Sequence, residues 1–168
     1  MDSSENRQLA AITFIDIADF SELMHLDEAK AVHLLELQKD IIYPIITSYT
    51  GKILKEMGDG ILVSFNSAIQ AVKCSIEIQS KIEYIDNLNY RIGIHVGDVI
   101  IIEEDVFGDG VNIASRIQEI CKVGTVCISK TVYDAIINHP EMKCTSLGKR
   151  ELKGISEKIE LFKLEATD

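Results

Sequence analysis

A chain of 168 residues, 46% hydrophobic with two prolines and no Trp, suits one domain with a core of Ile, Leu, Val and Ala. Its 17 basic and 27 acidic residues leave a net charge of −10, which argues against the basic face that nucleic-acid binding needs. Four cysteines without C-x-x-C spacing argue against a disulfide framework or zinc site, the polar N-terminus is no signal peptide, and every apolar run is too short to span a bilayer; a cytoplasmic protein with free thiols is expected.

Residues 1–8 read as a flexible tail, and residues 9–165 as one domain. Leu9 to Ile17 is a continuous apolar run, the pattern of a buried strand. Asp19 and Ser21 are placed to cap one long helix, with Glu22 in its first turn and apolar residues from Leu23 to Ile45. Pro44 should kink or break it, and Gly51 closes the segment. Lys52 to Met57 and Ile61 to Phe65 flank Gly58-Asp59-Gly60, a hairpin signal. Ala68 to Ile82 is an amphipathic helix. Tyr90 to Val96 and Val99 to Ile102 read as a strand pair turning at Gly97-Asp98. A helix over Val111 to Ile120, a strand over Gly124 to Ser129 and a helix over Lys130 to Ile137 follow. Lys143 to Leu164 reads as short strands with turns at Gly148 and Gly154. The order β-α-β-β-α-β, then β-α-β-β, predicts an α+β fold: a ferredoxin-like βαββαβ core with a C-terminal αβ extension, its mostly antiparallel sheet covered by helices.

Chemistry enters with Asp16, which ends the first apolar strand, and Asp59, in the hairpin turn. Taken singly, each has an ordinary role as a helix cap or a turn residue. If the two strands are neighbours, the carboxylates meet at one edge of the sheet. Like charges that close repel, and one neutralises unless divalent cations lie between them. Asn112 and Arg116 are four apart on one face of a predicted helix near its N-terminus, a place that favours anions, and Arg adds a forked donor for phosphate oxygens. Lys55 precedes Asp59 by four residues.

The segments Phe14-Ile15-Asp16-Ile17-Ala18-Asp19-Phe20-Ser21, Lys55-Glu56-Met57-Gly58-Asp59-Gly60 and Asp105 through Arg116 resemble, in order, the class III nucleotide cyclase catalytic domain, over residues 9–164. The resemblance implies a head-to-tail homodimer with active sites at its interface, cyclising ATP to 3′,5′-cyclic AMP and pyrophosphate with two divalent cations (Mg²⁺ or Mn²⁺). By the same resemblance Asp16 and Asp59 bind the metals, with the Ile17 carbonyl as a backbone ligand. Lys55 and Asp105 recognise the purine, and Phe20 and Lys153 join the nucleotide-binding set, Lys153 as a phosphate-binding lysine. Asn112 orients the ribose and Arg116 stabilises charge on the reacting phosphate. A Lys/Asp pair suits adenine, since the carboxylate accepts from the exocyclic amine while the ammonium donates to a ring nitrogen. One subunit would supply Asp16 and Asp59, and its partner Lys55, Asp105, Asn112 and Arg116.

Three positions depart from the family's pattern. Asp19 stands for a common Gly near the triphosphate, Phe107 for a frequent Trp, and the stretch from Gly97 to Asp105 is short. The competing readings are a non-catalytic nucleotide-binding or dimerisation module on the same fold, and a cyclase using GTP or another nucleotide. A diguanylate cyclase is disfavoured, because the turn reads Met-Gly-Asp-Gly-Ile. A regulatory domain or partner is expected outside these residues.

Overall fold

The computed structural model describes residues 7–103 and 105–165. Its elements in chain order are β1 (Arg7–Ile17), α1 (Phe20–Leu26), α2 (Glu28–Ser48), β2 (Lys52–Met57), β3 (Gly60–Phe65), α3 (Ala68–Ile82) and β4 (Tyr90–Ile102). Then follow β5 (Asp105–Phe107), α4 (Asp109–Ile120), β6 (Val126–Ser129), α5 (Lys130–Ile136), β7 (Cys144–Arg150) and β8 (Ile159–Leu164). One sheet runs β2-β3-β1-β4-β6-β8-β7, with β5 paired to β4. The β2-β3-β1-β4 half is the expected βαββαβ core and is antiparallel throughout, while β4 and β6 are parallel. The rest is the C-terminal extension.

The two faces of the sheet follow from alternation along β1. Ala11, Ile15 and Ile17 join the large core under α1, α2, α3 and α5, together with Leu34, Ile42, Ile46, Val72 and Ile78. Ala10, Ile12 and Phe14 point the other way, to a smaller cluster with Leu62, Val99, Val106 and Ala114. Asp16 ends that second stripe. The strand therefore carries its carboxylate to the α4 side by register alone.

Several expectations are corrected. β1 starts at Arg7 instead of Leu9, because Arg7 and Gln8 pair with Ile100 and Val99 of β4; residues 1–6 of the expected tail lie outside the described residues. The single long helix is two helices. Asp27 interrupts it with non-helical backbone (φ −153°, ψ 86°) and caps α2 by accepting from the Lys30 N–H. Asp19 makes no side-chain cap bond; it adopts left-handed backbone (φ 59°), a conformation that favours Gly and that Asp tolerates. Pro44 sits inside α2 without ending it. Gly97-Asp98 is no turn either, since β4 runs unbroken and pairs both residues with Ala10 and Leu9. Gly148 lies at a register shift within β7, not between strands.

Gly93 and Gly97 instead flatten the α4 face of β4. A Cβ on Gly93 would lie 2.5 Å from the Gln118 nitrogen and 2.8 Å from the Ala114 carbonyl oxygen, both backbone atoms of α4. The helix can be met there only by a residue without a side chain. Gly93→Ala is expected to cost about 1–3 kcal/mol in denaturant unfolding, the range for overpacking; an unchanged midpoint would mean that α4 does not rest on Gly93.

Candidate active site

Asp16 sits at the end of β1, opposite Arg91 of β4, and Asp59 in the turn between β2 and β3. β1 and β3 are neighbours, with Ile15 facing Ile61, so the two carboxyl groups come within hydrogen-bonding reach. Gly60 leaves the space: a Cβ there would meet the Phe14 ring at 3.2 Å and Asp16 Oδ1 at 3.4 Å. Burial and then the adjoining Asp59 push the Asp16 carboxyl up to about 7, while Arg91 and a hydrogen bond from Gln118 pull the other way. Two oxygen-bearing acids held this close fit a hard divalent cation, which would relieve the repulsion that now favours protonation. Among the described residues no group of three His, Cys, Asp or Glu side chains forms, so further ligands would be backbone, water or phosphate oxygens. Ile17, the expected backbone ligand, is next to Asp16 with its side chain buried.

The second pair is also assembled. Lys55 Nζ lies 3.3 Å from Asp105 Oδ1, both side chains partly exposed. The Val106 N–H and then Lys55 hold the Asp105 carboxyl below its ordinary value. β2 is an edge strand paired to β3, and β5 is paired to β4, so what brings them together is the β4–β5 arm. Val106 is buried in the cluster with Leu62, against which Leu54 also packs, so the arm folds across the α4 face toward β2. Phe107 stays exposed.

Asn112 and Arg116 lie on the outer side of α4, away from the aspartates of their own chain. Asn112 is exposed, and Arg116 makes two bonds of 3.0 and 3.1 Å to Glu119. The buried side of the helix carries Gly110, Ala114, Ile117 and Gln118. The ring of Phe20 is buried in the large core, 8% exposed. Lys153 is exposed in the loop after β7; its neighbour Leu152 anchors that loop on Ile117 and Cys121 beside α4. Arg91 and Gln118 escape sequence reasoning. The one signal was a Gln on the apolar stripe of α4.

Beneath the start of α4, His95 is 8% exposed and its Nδ1 lies 2.8 Å from Ser129 Oγ. Burial holds its pKa down to about 4, against an ordinary 6.5, so the fold keeps the ring neutral. The unfolded chain takes up the proton first. The contribution of His95 is complete above the ordinary value and is lost as pH falls through 6.5 toward 4, on the order of 3 kcal/mol in all. Asp16, raised, titrates with the opposite sign and cancels when wild type and His95→Gln are compared. The wild type is expected to lose more stability than the variant between about pH 7 and about pH 5, measured by denaturant unfolding; parallel losses would contradict the burial argument.

Residues 3–166 match the adenylate and guanylate cyclase catalytic domain, and the chain belongs to that family. "Putative adenylate cyclase 3" of Rhizobium meliloti is 32% identical over 95% of this chain, which spans 28% of that relative's length. A solved adenylate/guanylate cyclase/hydrolase from Silicibacter pomeroyi superposes with TM-score 0.84 at 32% identity, covering 94% of this chain and 96% of that one. The adenylyl cyclase CyaB from P. aeruginosa shares the fold with TM-score 0.87 at 23% identity, covering 96% of both chains. Among the described residues no helix is long and apolar enough to cross a membrane.

Proposed function

We propose that this nucleotide cyclase domain is an adenylate cyclase, forming 3′,5′-cyclic AMP and pyrophosphate from ATP as a homodimer whose two active sites are each shared between copies. The division of the site residues carries this reading: Asp16 and Asp59 meet on the sheet below α4, whereas Asn112 and Arg116 face outward from the same helix. A helix cannot turn both sides to one ligand. A second copy is the simplest source of the missing half, and Leu9, Ile102 and Phe107 leave exposed apolar surface at the β1, β4 and β5 corner beside Asp105.

In the shared site Asp16 and Asp59 of one chain would hold two divalent cations, Mg²⁺ or Mn²⁺. Such cations lower the pKa of the ribose 3′-hydroxyl and offset phosphate charge. From the other chain, Asp105 accepts from the adenine amine and Lys55 donates to a ring nitrogen. Asn112 orients the ribose. The 3′-oxygen forms the new bond to the α-phosphorus, the α–β bridging bond breaks, and the hydroxyl proton passes to solvent or phosphate. Arg116 leaves Glu119 and neutralises charge developing on the phosphate. The free thiols and the ATP requirement suit the cytoplasm.

Purified protein incubated with each nucleoside triphosphate and Mn²⁺ or Mg²⁺ is expected to yield cyclic AMP from ATP, identified by mass spectrometry. Cyclic GMP as the main product would overturn the adenine assignment. ATP binding with no cyclic product would favour the non-catalytic module, for which the Asp19 carboxylate near the nucleotide path is the supporting feature.

A further inference from the structure

We propose that Gln118 is a positioning residue for the metal site, its side-chain amide holding the Asp16 carboxylate in the orientation that receives a divalent cation. The inference rests on the cyclase reading of Asp16 and Asp59. Gln118 is 4% exposed and donates through Nε2 to Asp16 Oδ2 at 3.4 Å, a bond that spans 102 residues and joins α4 to β1. Its neighbours on that side of the helix are Ala114, Ile117 and Cys121, all buried. An amide among them costs desolvation unless it has a partner, and any apolar residue of similar length would fill the space. Packing alone does not ask for a glutamine.

The rest of the geometry serves the same bond. Gly93 lets the α4 backbone approach so closely that a Cβ would stand 2.5 Å from the Gln118 nitrogen, and this close seat delivers the side chain to the end of β1. With Oδ2 engaged by Gln118, Oδ1 is the oxygen directed at the β2–β3 turn, where it lies against Gly60 next to Asp59. Gln118 follows Arg116 by two positions, which places it about 200° around the helix at about 100° per residue. One helix thus braces the aspartate of its own chain with one side and carries Arg116 on the other.

The test is Gln118→Met in the full chain, which keeps length and volume and removes the donor. Mn²⁺ binding is read by electron paramagnetic resonance in the presence of 3′-deoxy-ATP, which lacks the attacking hydroxyl. The variant is expected to bind Mn²⁺ about 10-fold more weakly, the lower end for losing a partner of a metal ligand, with an unchanged unfolding midpoint. Unchanged Mn²⁺ affinity would overturn the proposal, and so would a lowered midpoint with normal affinity, the mark of a purely structural residue. Should the Met variant fail to fold, Gln118→Leu is read by the same criteria. Absent Mn²⁺ binding by the unsubstituted protein would overturn the cyclase reading and the proposal together. Intact binding that Gln118→Met leaves untouched would remove the proposal alone.

Discussion

Replacing Asp59 by Ala is expected to lower cyclic nucleotide formation by more than about 100-fold, beyond the loss usual for a residue that merely supports a metal ligand. Asp59 occupies a two-residue turn whose backbone is set by Gly58 at φ 62°, so the hairpin does not depend on its side chain. What the substitution removes is half of a carboxylate pair. Asp16 would remain, relieved of the neighbour that raises its pKa and left without a second anchor for a cation. Turnover is measured at saturating ATP and Mn²⁺, with circular dichroism to show the fold intact. Asp59→Asn, which keeps the shape and drops the charge, should fall with it. Activity within a few fold of wild type in both variants would remove Asp59 from the metal site.

Arg116→Ala is expected to reduce kcat about 10³-fold, the scale for a guanidinium that stabilises charge in phosphoryl transfer. Stability should hardly change, because the Arg116–Glu119 pair is solvent-facing and such pairs contribute less than about 1 kcal/mol. Loss of activity without loss of stability is what separates a catalytic arginine from a structural one. Arg116→Lys should recover little, since an ammonium cannot reproduce a forked contact with phosphate oxygens. A kcat near wild type in the Ala variant would leave Arg116 with only its surface contact to Glu119.

The aspartates were legible in the chain because local rules and tertiary structure agree there. Asp16 ends an apolar run that is indeed β1, and Gly58-Asp59-Gly60 marks a hairpin that pairs as expected. Gly97-Asp98 shows the opposite case. Its residues are typical of turns, yet the glycine serves close packing: a Cβ on Gly97 would stand 3.0 Å from His95 Nε2 and 3.3 Å from Gly110. Turn chemistry and tight approach select the same residue, and only the neighbouring helix distinguishes them. Lys55 and Asp105 were paired through family resemblance, not local pattern. β5 is three residues long, and the arm that brings it to β2 has no periodicity of its own. The break at Asp27 was hidden because the apolar spacing continues across it. Gln118 and Arg91 stayed invisible for a related reason: their meaning comes from Asp16, which is distant in sequence and adjacent in space.

The shared site is tested most directly by mixing. Asp59→Ala and Arg116→Ala chains, each nearly inactive alone, are combined and allowed to exchange subunits, and cyclic AMP formation is measured against each parent. In a heterodimer one site receives both defects and the other receives none, so each heterodimer is expected to show up to about half the activity of a wild-type dimer, and a randomly exchanged equal mixture up to about a quarter. No recovery, with heterodimers demonstrated by differential tagging, would contradict an active site built from two copies of this chain.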